Sequence, residues 1–458
     1  MRLTESVKRR YNNSILGILF SGKTDGAKGR RCMLASSLLS SAIANITGGI
    51  FYSGFLVGYG INIVNIGIIS FVPTLATLLS LFSPFILDRI AKRKWVLAGA
   101  RIFYYALTLL GILVIPHIFE ENLSRVLAIT ILMSFAAGVN ALFGQGYSAW
   151  HMNFLPDSIR GDYLLTNSCI AAFTSGLFAL VVAVVTDSLA GSPRQLEIII
   201  LLRIIAFALA VLDVLVLLLP KEYEYKQTTE KPRLRNVFTI PLKNKKFSLT
   251  ILMCVIWYLF SNCHAAVINT WLLQDMEISY TLITFINFTY FFFFLFFSKM
   301  WRKFINKLGW IKALSFSAVI TGVTYITYSF LTKNNSFTIT IFGSVVAVNV
   351  FFFIVRHMQH VTGIVTNLCM GNMPYINTPD SDRVSYFSFY AVAVNITSFI
   401  SQLLGTGFVS IMKDRALTIF GHDFTALPIL LMITGAGQIL TGIIVFILTP
   451  KLTPDQRY

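Results

Sequence analysis

Twelve stretches of roughly twenty mostly apolar residues follow one another along the chain, and no other feature constrains its fold so tightly. A helix needs about 20 residues to cross the roughly 30 Å of a bilayer's hydrocarbon at 1.5 Å per residue. The first six stretches run over residues 33–57, 63–87, 95–116, 124–148, 162–189 and 196–219, and the second six over 247–273, 280–298, 311–332, 337–370, 384–412 and 424–449. Composition agrees with this reading. Charged residues make up 12% and hydrophobic residues 55% of the 458, and the mean hydropathy is +0.71, whereas a soluble domain carries about 25% charged residues. An ordinary soluble enzyme is thereby excluded.

The 37 Lys and Arg outnumber the 20 Asp and Glu, a formal charge of +17. In a soluble protein that excess would suggest nucleic acid; in a membrane protein it marks the side on which the loops stay. With both termini inside, 29 of the basic residues fall in inner segments and five in outer ones, Arg125, Arg194, Lys333, Lys413 and Arg415. Three more, Arg101, Arg203 and Arg356, lie within the stretches themselves. Residues 1–31 are basic and polar, without an apolar core and cleavage site, so the N-terminus is expected to stay inside. The expectation is a multi-pass protein of a cell (inner) membrane, surrounded by the lipid bilayer, with both termini cytoplasmic. No nucleic-acid partner is expected, because the charge never gathers into one basic domain. Five cysteines at 32, 169, 254, 263 and 369 show no paired ligand spacing and read as packing residues. No metal and no cofactor are expected.

The widest inner linker, Lys221 to Lys246, carries eight basic residues and two prolines and divides the apolar stretches into two sixes. The chain therefore reads as a cytoplasmic N-terminal segment (1–32), a six-helix half (33–219), a cytoplasmic central loop (220–246), a second six-helix half (247–449) and a cytoplasmic tail (450–458). The halves also share words. PDSIRGDY at 156–163 recurs as PDSDRVSY at 379–386, matching at five of eight positions with an offset of 223, and RKW ending at Trp95 is echoed by LGW ending at Trp310, an offset of 215. Each pair occupies the corresponding loop of its half, and an even number of crossings separates them. The predicted architecture is an all-α membrane protein of twelve transmembrane helices in two parallel six-helix repeats.

With these residues in view, the chain resembles the major facilitator superfamily, in its bacterial form, over nearly its whole length. The loop SPFILDRIAKRKW, Ser83 to Trp95, is similar to the family signature G-x-x-x-D-R-x-G-R-K, with Asp88, Arg89, Lys92 and Arg93 in register and Pro84 and Ala91 at the glycine positions. The resemblance implies that Asp88, Arg89 and Arg93 belong to an inner gate, an acid beside a basic cluster at a helix end. Pro156, Arg160, Pro379 and Arg383 join them as the repeated loop motif, the two arginines capping the inner ends of neighbouring helices. Gln145-Gly146-Tyr147-Ser148-Ala149 is similar to the end of a second family motif, with Leu142 where that motif has arginine. Sugar porters place a glutamate where this chain has Asn153 and Ile376, so no sugar assignment is made.

Ionisable groups inside spans cost about 2.5–3.5 kcal/mol each on insertion scales and so invite a functional reading. Arg101 is expected to snorkel to the inner surface, Asp213 to have a structural partner, and Asp187 and Arg203 to lie toward the outer ends of their spans. Arg356, His357 and His360 cluster within the tenth stretch at helical spacing. A substrate anion is the natural partner for such a cation; the other reading ends the helix near residue 357 and leaves the cluster at the cytoplasmic surface. The resemblance implies that spans one, four, seven and ten line a central cavity, which brings in Asn45 and Tyr52, Asn140 and Gln145, and Trp257, His264 and Asn269. Their amides and rings suit a polar organic solute. No phosphate-cradling GxxxxGK[ST] sequence is present. The expected function is a secondary transporter, functional as a monomer, that moves a small polar organic solute, on one reading an anion, by alternating access with ion or proton coupling; His264, His357 and His360 read either as proton carriers or as neutral packing residues. A lipid flippase or scramblase on the same fold, and a lipid-modifying membrane enzyme, are the alternatives.

Overall fold

A computed structural model describes residues 15–22, 24–87, 89–222, 234–341, 344–373, 377–378, 383–413, 415–419 and 422–452. Ten helices among them are long and apolar enough to cross a membrane, which makes the chain a multi-pass membrane protein. Spans 1 to 3 are Asp25–Gly58, Ile63–Phe82 and Lys94–Ile118. Spans 4 to 6 are Asn122–Met152, Asp157–Asp187 and Arg194–Leu217. Spans 8, 9, 11 and 12 are Tyr280–Leu308, Trp310–Tyr328, Arg383–Ile411 and Ala426–Leu452.

The two stretches expected as spans 7 and 10 are not among these ten helices and depart from the sequence expectation. Span 7 consists of two helices, Lys245–Ser261 and Ile268–Gln274, with turns between them. The interruption contains Asn262, whose amide donates to Ser398 Oγ at 2.9 Å. The Cys263 carbonyl packs so close to Gly405 that a Cβ there would lie 1.8 Å from it. Span 10 is Val350–Asn372, although its helix was expected from residue 337. Residues 336–341 and 344–349 instead pair as two antiparallel strands, β1 (Ser336–Ile341) and β2 (Ser344–Asn349), with Ser336 opposite Asn349. The words SFTITI and SVVAVN are rich in β-branched residues, which favour a pleated surface. Asn349 then starts the helix: its Oδ1 accepts the Phe352 amide at 2.9 Å, as a cap should. Arg356 consequently lies about two turns from the N-terminal end of a helix that continues to Asn372, and the helix does not end near residue 357. Between spans 11 and 12, a second antiparallel pair is formed by β3 (Leu417–Ile419) and β4 (His422–Phe424).

Span 1 is broken as well. Its first helix ends at Thr47, Gly48 is extended, and Gly49 has φ +52, a left-handed conformation that glycine adopts without strain. Carried forward by 215 residues, the separation of Trp95 from Trp310, this break falls on Cys263 and His264, inside the interruption of span 7. The repeated tyrosines behave alike. The Tyr163 hydroxyl donates to the Arg30 carbonyl near the start of span 1 at 3.0 Å, and the Tyr386 ring meets Phe247 near the start of span 7 edge-on, with centroids 4.6 Å apart.

Contacts divide the chain into two compact units. The first takes the described residues of Met1–Tyr52, Ala76–Thr186 and Gly191–Lys231; the second takes those of Ser53–Leu75, Asp187–Ala190 and Pro232–Tyr458. In the first unit Asp213 is wholly buried and accepts from Arg101 Nε at 2.7 Å, from Tyr105 Oη at 3.2 Å and from Ser36 Oγ at 2.5 Å. Arg101 thus turns inward instead of snorkelling. Its guanidinium lies 4.9 Å from the Tyr147 ring centroid, which adds a cation–π contact. In the second unit Asp187 accepts the Tyr280 and Thr281 amides at 3.0 and 2.6 Å and so caps span 8 beside Ser279, whose hydroxyl takes the Leu282 amide at 3.2 Å. Gly54 admits the Tyr280 hydroxyl, and the Phe71 and Phe399 rings meet edge-on at 5.5 Å. Spans 9 and 12 pack backbone to backbone through Gly322 and Gly435, each of whose added Cβ would lie 2.5 Å from the other's carbonyl, the small-residue contact that drives helix association in lipid.

Candidate functional site

The second unit encloses a cavity of about 240 Å³ that gathers three of the candidates, Arg356, His264 and Asn269. Each arrives by a different local device. His264 sits in the interruption of span 7, and Asn269 opens the short helix that follows it. Arg356 comes from the second turn of span 10, placed there by the Asn349 cap. Asn287 of span 8, Tyr325 and Tyr328 of span 9, and Phe352 complete much of the wall. Arg356 Nη1 donates to Gln359 Oε1 at 2.6 Å, and its guanidinium lies 5.9 Å from the Tyr328 ring centroid. His264 packs its ring 4.9 Å from that of Tyr325, with its Nδ1 3.5 Å from Thr434 Oγ1. The Tyr328 hydroxyl and Gln359 Nε2 are buried and hydrogen-bond to no described residue. Among the described residues, no Asp or Glu lines the cavity. Its wall therefore offers a permanent cation, amides that donate and accept, and aromatic faces.

The other candidates lie elsewhere. His357 is held by Thr289 Oγ1 at 2.9 Å and by the Phe353 carbonyl at 2.7 Å. It borders a groove of about 640 Å³ between spans 8 and 10, walled by Phe285, Phe293 and Met358. His360 is buried against the Tyr290 ring, with centroids 5.2 Å apart. The three side chains of the Arg-His-His cluster thus have three different settings. Successive residues point about 100° apart on a helix, so Arg356 and His357 reach different surfaces. Trp257 lies in an apolar core with Met253, Cys254 and Cys369. Asn45 donates to Ser175 Oγ at 2.8 Å within the first unit, a helix-bridging contact, and Asn140 is exposed on span 4. Tyr52 lines a separate cavity of the first unit.

Among the loop residues, Asp88 and Pro379 lie outside the described residues, as do the side chains of Gln145, Arg160 and Arg383. Arg89 is exposed, whereas Arg93 is buried with Nε donating to the Ile90 carbonyl at 3.0 Å. Pro156 precedes span 5, and its carbonyl accepts the Ile159 amide at 3.1 Å. Sequence reasoning missed Asn287, Tyr325 and Tyr328. Their spans were not among those the resemblance assigns to a cavity wall, and the only local signal was the spacing of two tyrosines three residues apart on one helix face.

No family model matches the sequence, and no curated protein matches it. Solved structures do. A point mutant of the nucleoside transporter NupG superposes with a TM-score of 0.68 at 13% identity, covering 92% of this chain and 99% of that one. A POT family transporter in complex with 5-aminolevulinic acid gives 0.64 at 12% identity, over 94% and 96% of the two chains. A D-xylose-proton symporter gives 0.62 at 13%, over 91% and 95%. The fold is that of the major facilitator superfamily, built of two repeats.

Proposed function

We propose that the protein is a secondary transporter, and not an enzyme, that carries a small polar organic solute with an anionic group across the membrane by alternating access. The observation that carries this reading is the cavity in which Arg356 meets His264, Asn269, Asn287 and Tyr328, with no carboxylate among the described residues of its wall. A cation in a low-dielectric site is costly until an opposite charge enters, and the fixed amides orient the remainder of the solute. The transporters that share the fold, among them those named for nucleosides and for D-xylose with protons, support transport as the activity. On this reading both termini are cytoplasmic, the protein lies in a cell membrane, and a monomer suffices.

The test is uptake or exchange of candidate solutes by the purified protein in liposomes. An organic anion should be transported, and Arg356→Gln should lower transport at least tenfold, the loss of one charge-assisted contact of about 1.5–3 kcal/mol, while leaving the thermal unfolding midpoint within a few degrees. Unchanged transport in that variant removes Arg356 from the site. Proton coupling is tested separately: with His264→Gln, an imposed pH gradient should cease to drive accumulation if His264 carries the coupling proton. A second reading, lipid translocation, rests on the apolar groove between spans 8 and 10. It is favoured if the liposomes scramble labelled phospholipid and transport no soluble anion.

A further inference from the structure

Size and charge together narrow what the Arg356 cavity can hold. Its volume of about 240 Å³ lies below the roughly 300–1,000 Å³ of drug-sized ligand sites. At about 30 Å³ per water it has room for about eight waters, which suits a solute of about as many non-hydrogen atoms. A nucleoside or a peptide exceeds that space.

The side chain that hydrogen-bonds the guanidinium is neutral. Arg356 Nη1 donates to Gln359 Oε1 at 2.6 Å, three residues further along span 10, and Gln359 is 7% exposed. An amide fixes the direction of a guanidinium without bringing negative charge, whereas a glutamate of the same shape would neutralise it. Among the described residues, no Asp or Glu pairs with Arg356 or lines the cavity. A guanidinium has five N–H donors in a fixed fork, and the contact with Gln359 uses one of them, so a carboxylate can still be met by two. The Tyr328 hydroxyl, buried and hydrogen-bonded to no described residue, adds a donor for a further oxygen. Asn269 and Asn287 bring amides that both donate and accept, and Ile268, Leu272 and Ile283 give the same cavity an apolar side for an alkyl group. An ammonium group would meet no acid among these residues. It would also share the small volume with Arg356, whose like charge repels it strongly at short range in a low dielectric.

We infer that the solute is a small monocarboxylate that carries a hydroxyl or keto oxygen and no ammonium group, and that Gln359 sets this preference by holding Arg356 without neutralising it. The inference rests on the reading that the Arg356 cavity is the solute site. Gln359 acts through Arg356 and is a positioning residue.

The full-length protein in detergent, at constant ionic strength, is titrated with 2-hydroxyisovalerate, 2-ketoisovalerate, valine and 2-hydroxyisovaleramide while the thermal unfolding midpoint is followed. Lactate, pyruvate, alanine and lactamide repeat the series with a shorter chain. Within a series the probes share a carbon skeleton and differ at one group. A saturable rise is expected with a hydroxy or keto acid, and the amino acid and the amide should bind about tenfold more weakly or worse. Gln359→Glu keeps the shape of the side chain and sets a carboxylate against Arg356. It should weaken the acid about tenfold and erase the preference for acid over amide. Arg356→Gln should erase the same preference by removing the cation.

The proposal is overturned if the amino acid matches the hydroxy acid, if no acid of either chain length gives saturation, or if Gln359→Glu leaves the preference intact. The transport reading is judged apart from it. If phosphate or a dicarboxylate alone saturates, and does so only with Arg356 present, the substrate class falls and the Arg356 site stands. A hydroxy-acid response that persists in Arg356→Gln removes the site itself, and both fall.

Discussion

Asp213 accepts three hydrogen bonds in the interior of the first unit, and its partner Arg101 is four-fifths covered, with a side-chain exposure of 17%. Removing one member of such a pair strands the other charge, a loss of about 3–5 kcal/mol, whereas replacing both with apolar groups is often neutral. Arg101→Leu alone and Asp213→Leu alone are therefore expected to lower the thermal midpoint sharply in detergent, and the double variant to recover most of the loss. A double-mutant cycle on unfolding midpoints checks this, and additive losses would show that the two side chains act independently. The same logic separates residues by what the sequence can reveal. Arg101 was expected to snorkel because its depth in span 3 allows it; that Asp213, 112 residues later, faces it depends on how spans 3 and 6 are rotated about their axes. Arg203 was read as a peripheral charge for the same reason, and that its guanidinium donates to the Thr47 and Thr108 carbonyls is visible only in three dimensions.

Among the elements, the packing of spans 9 and 12 has no slack. Gly322 and Gly435 approach through their backbones, and Ser315 Oγ donates to the Gly442 carbonyl at 2.7 Å. Gly435→Val should cost more than the about 1–3 kcal/mol of ordinary overpacking, since the obstacle is backbone; circular dichroism melts of the purified variant would register the drop, and an unaltered melt would remove the contact from the list of stabilising ones. Span 10 offers a milder test. Asn349→Ala removes the cap on Phe352, and a loss of about 1 kcal/mol is expected, together with reduced binding of any Arg356 ligand, because the cap sets where the helix begins. The limits of span 10 were misjudged from sequence because residues 337–349 are apolar enough to extend a helix, and hydropathy does not distinguish a β-branched hairpin from a helical turn. The breaks in spans 1 and 7 escaped notice for a related reason: mean apolarity is blind to where the backbone interrupts its ladder.

Across the whole molecule, the second unit is assembled from separated parts of the chain, since Ser53–Leu75 and Asp187–Ala190 belong with Pro232–Tyr458. A fragment of residues 232–458 expressed alone lacks those parts, including the Asp187 carboxylate that caps span 8. It is expected to be degraded or to aggregate, whereas co-expression with residues 1–231 should give a complex that co-purifies and unfolds in one transition. Stable isolation of the 232–458 fragment would show that the added segments contribute little. The orientation is tested by reporter fusions: the topology that puts 29 basic residues inside and five outside is the expected one, and under it reporters at both ends report a cytoplasmic location.

The sequence by itself determined that the chain is a multi-pass helical membrane protein, and it displayed the words that recur between its halves. Those properties are sums over neighbouring residues or recurrences at a fixed offset, so they can be read along a line. Only the tertiary structure decided that His264 and Arg356 share one cavity while His357 and His360 do not, and that Tyr52 lies beside Arg203. Such pairings depend on the rotation and register of helices far apart in the chain, and these are set by close packing among side chains, which no local pattern encodes.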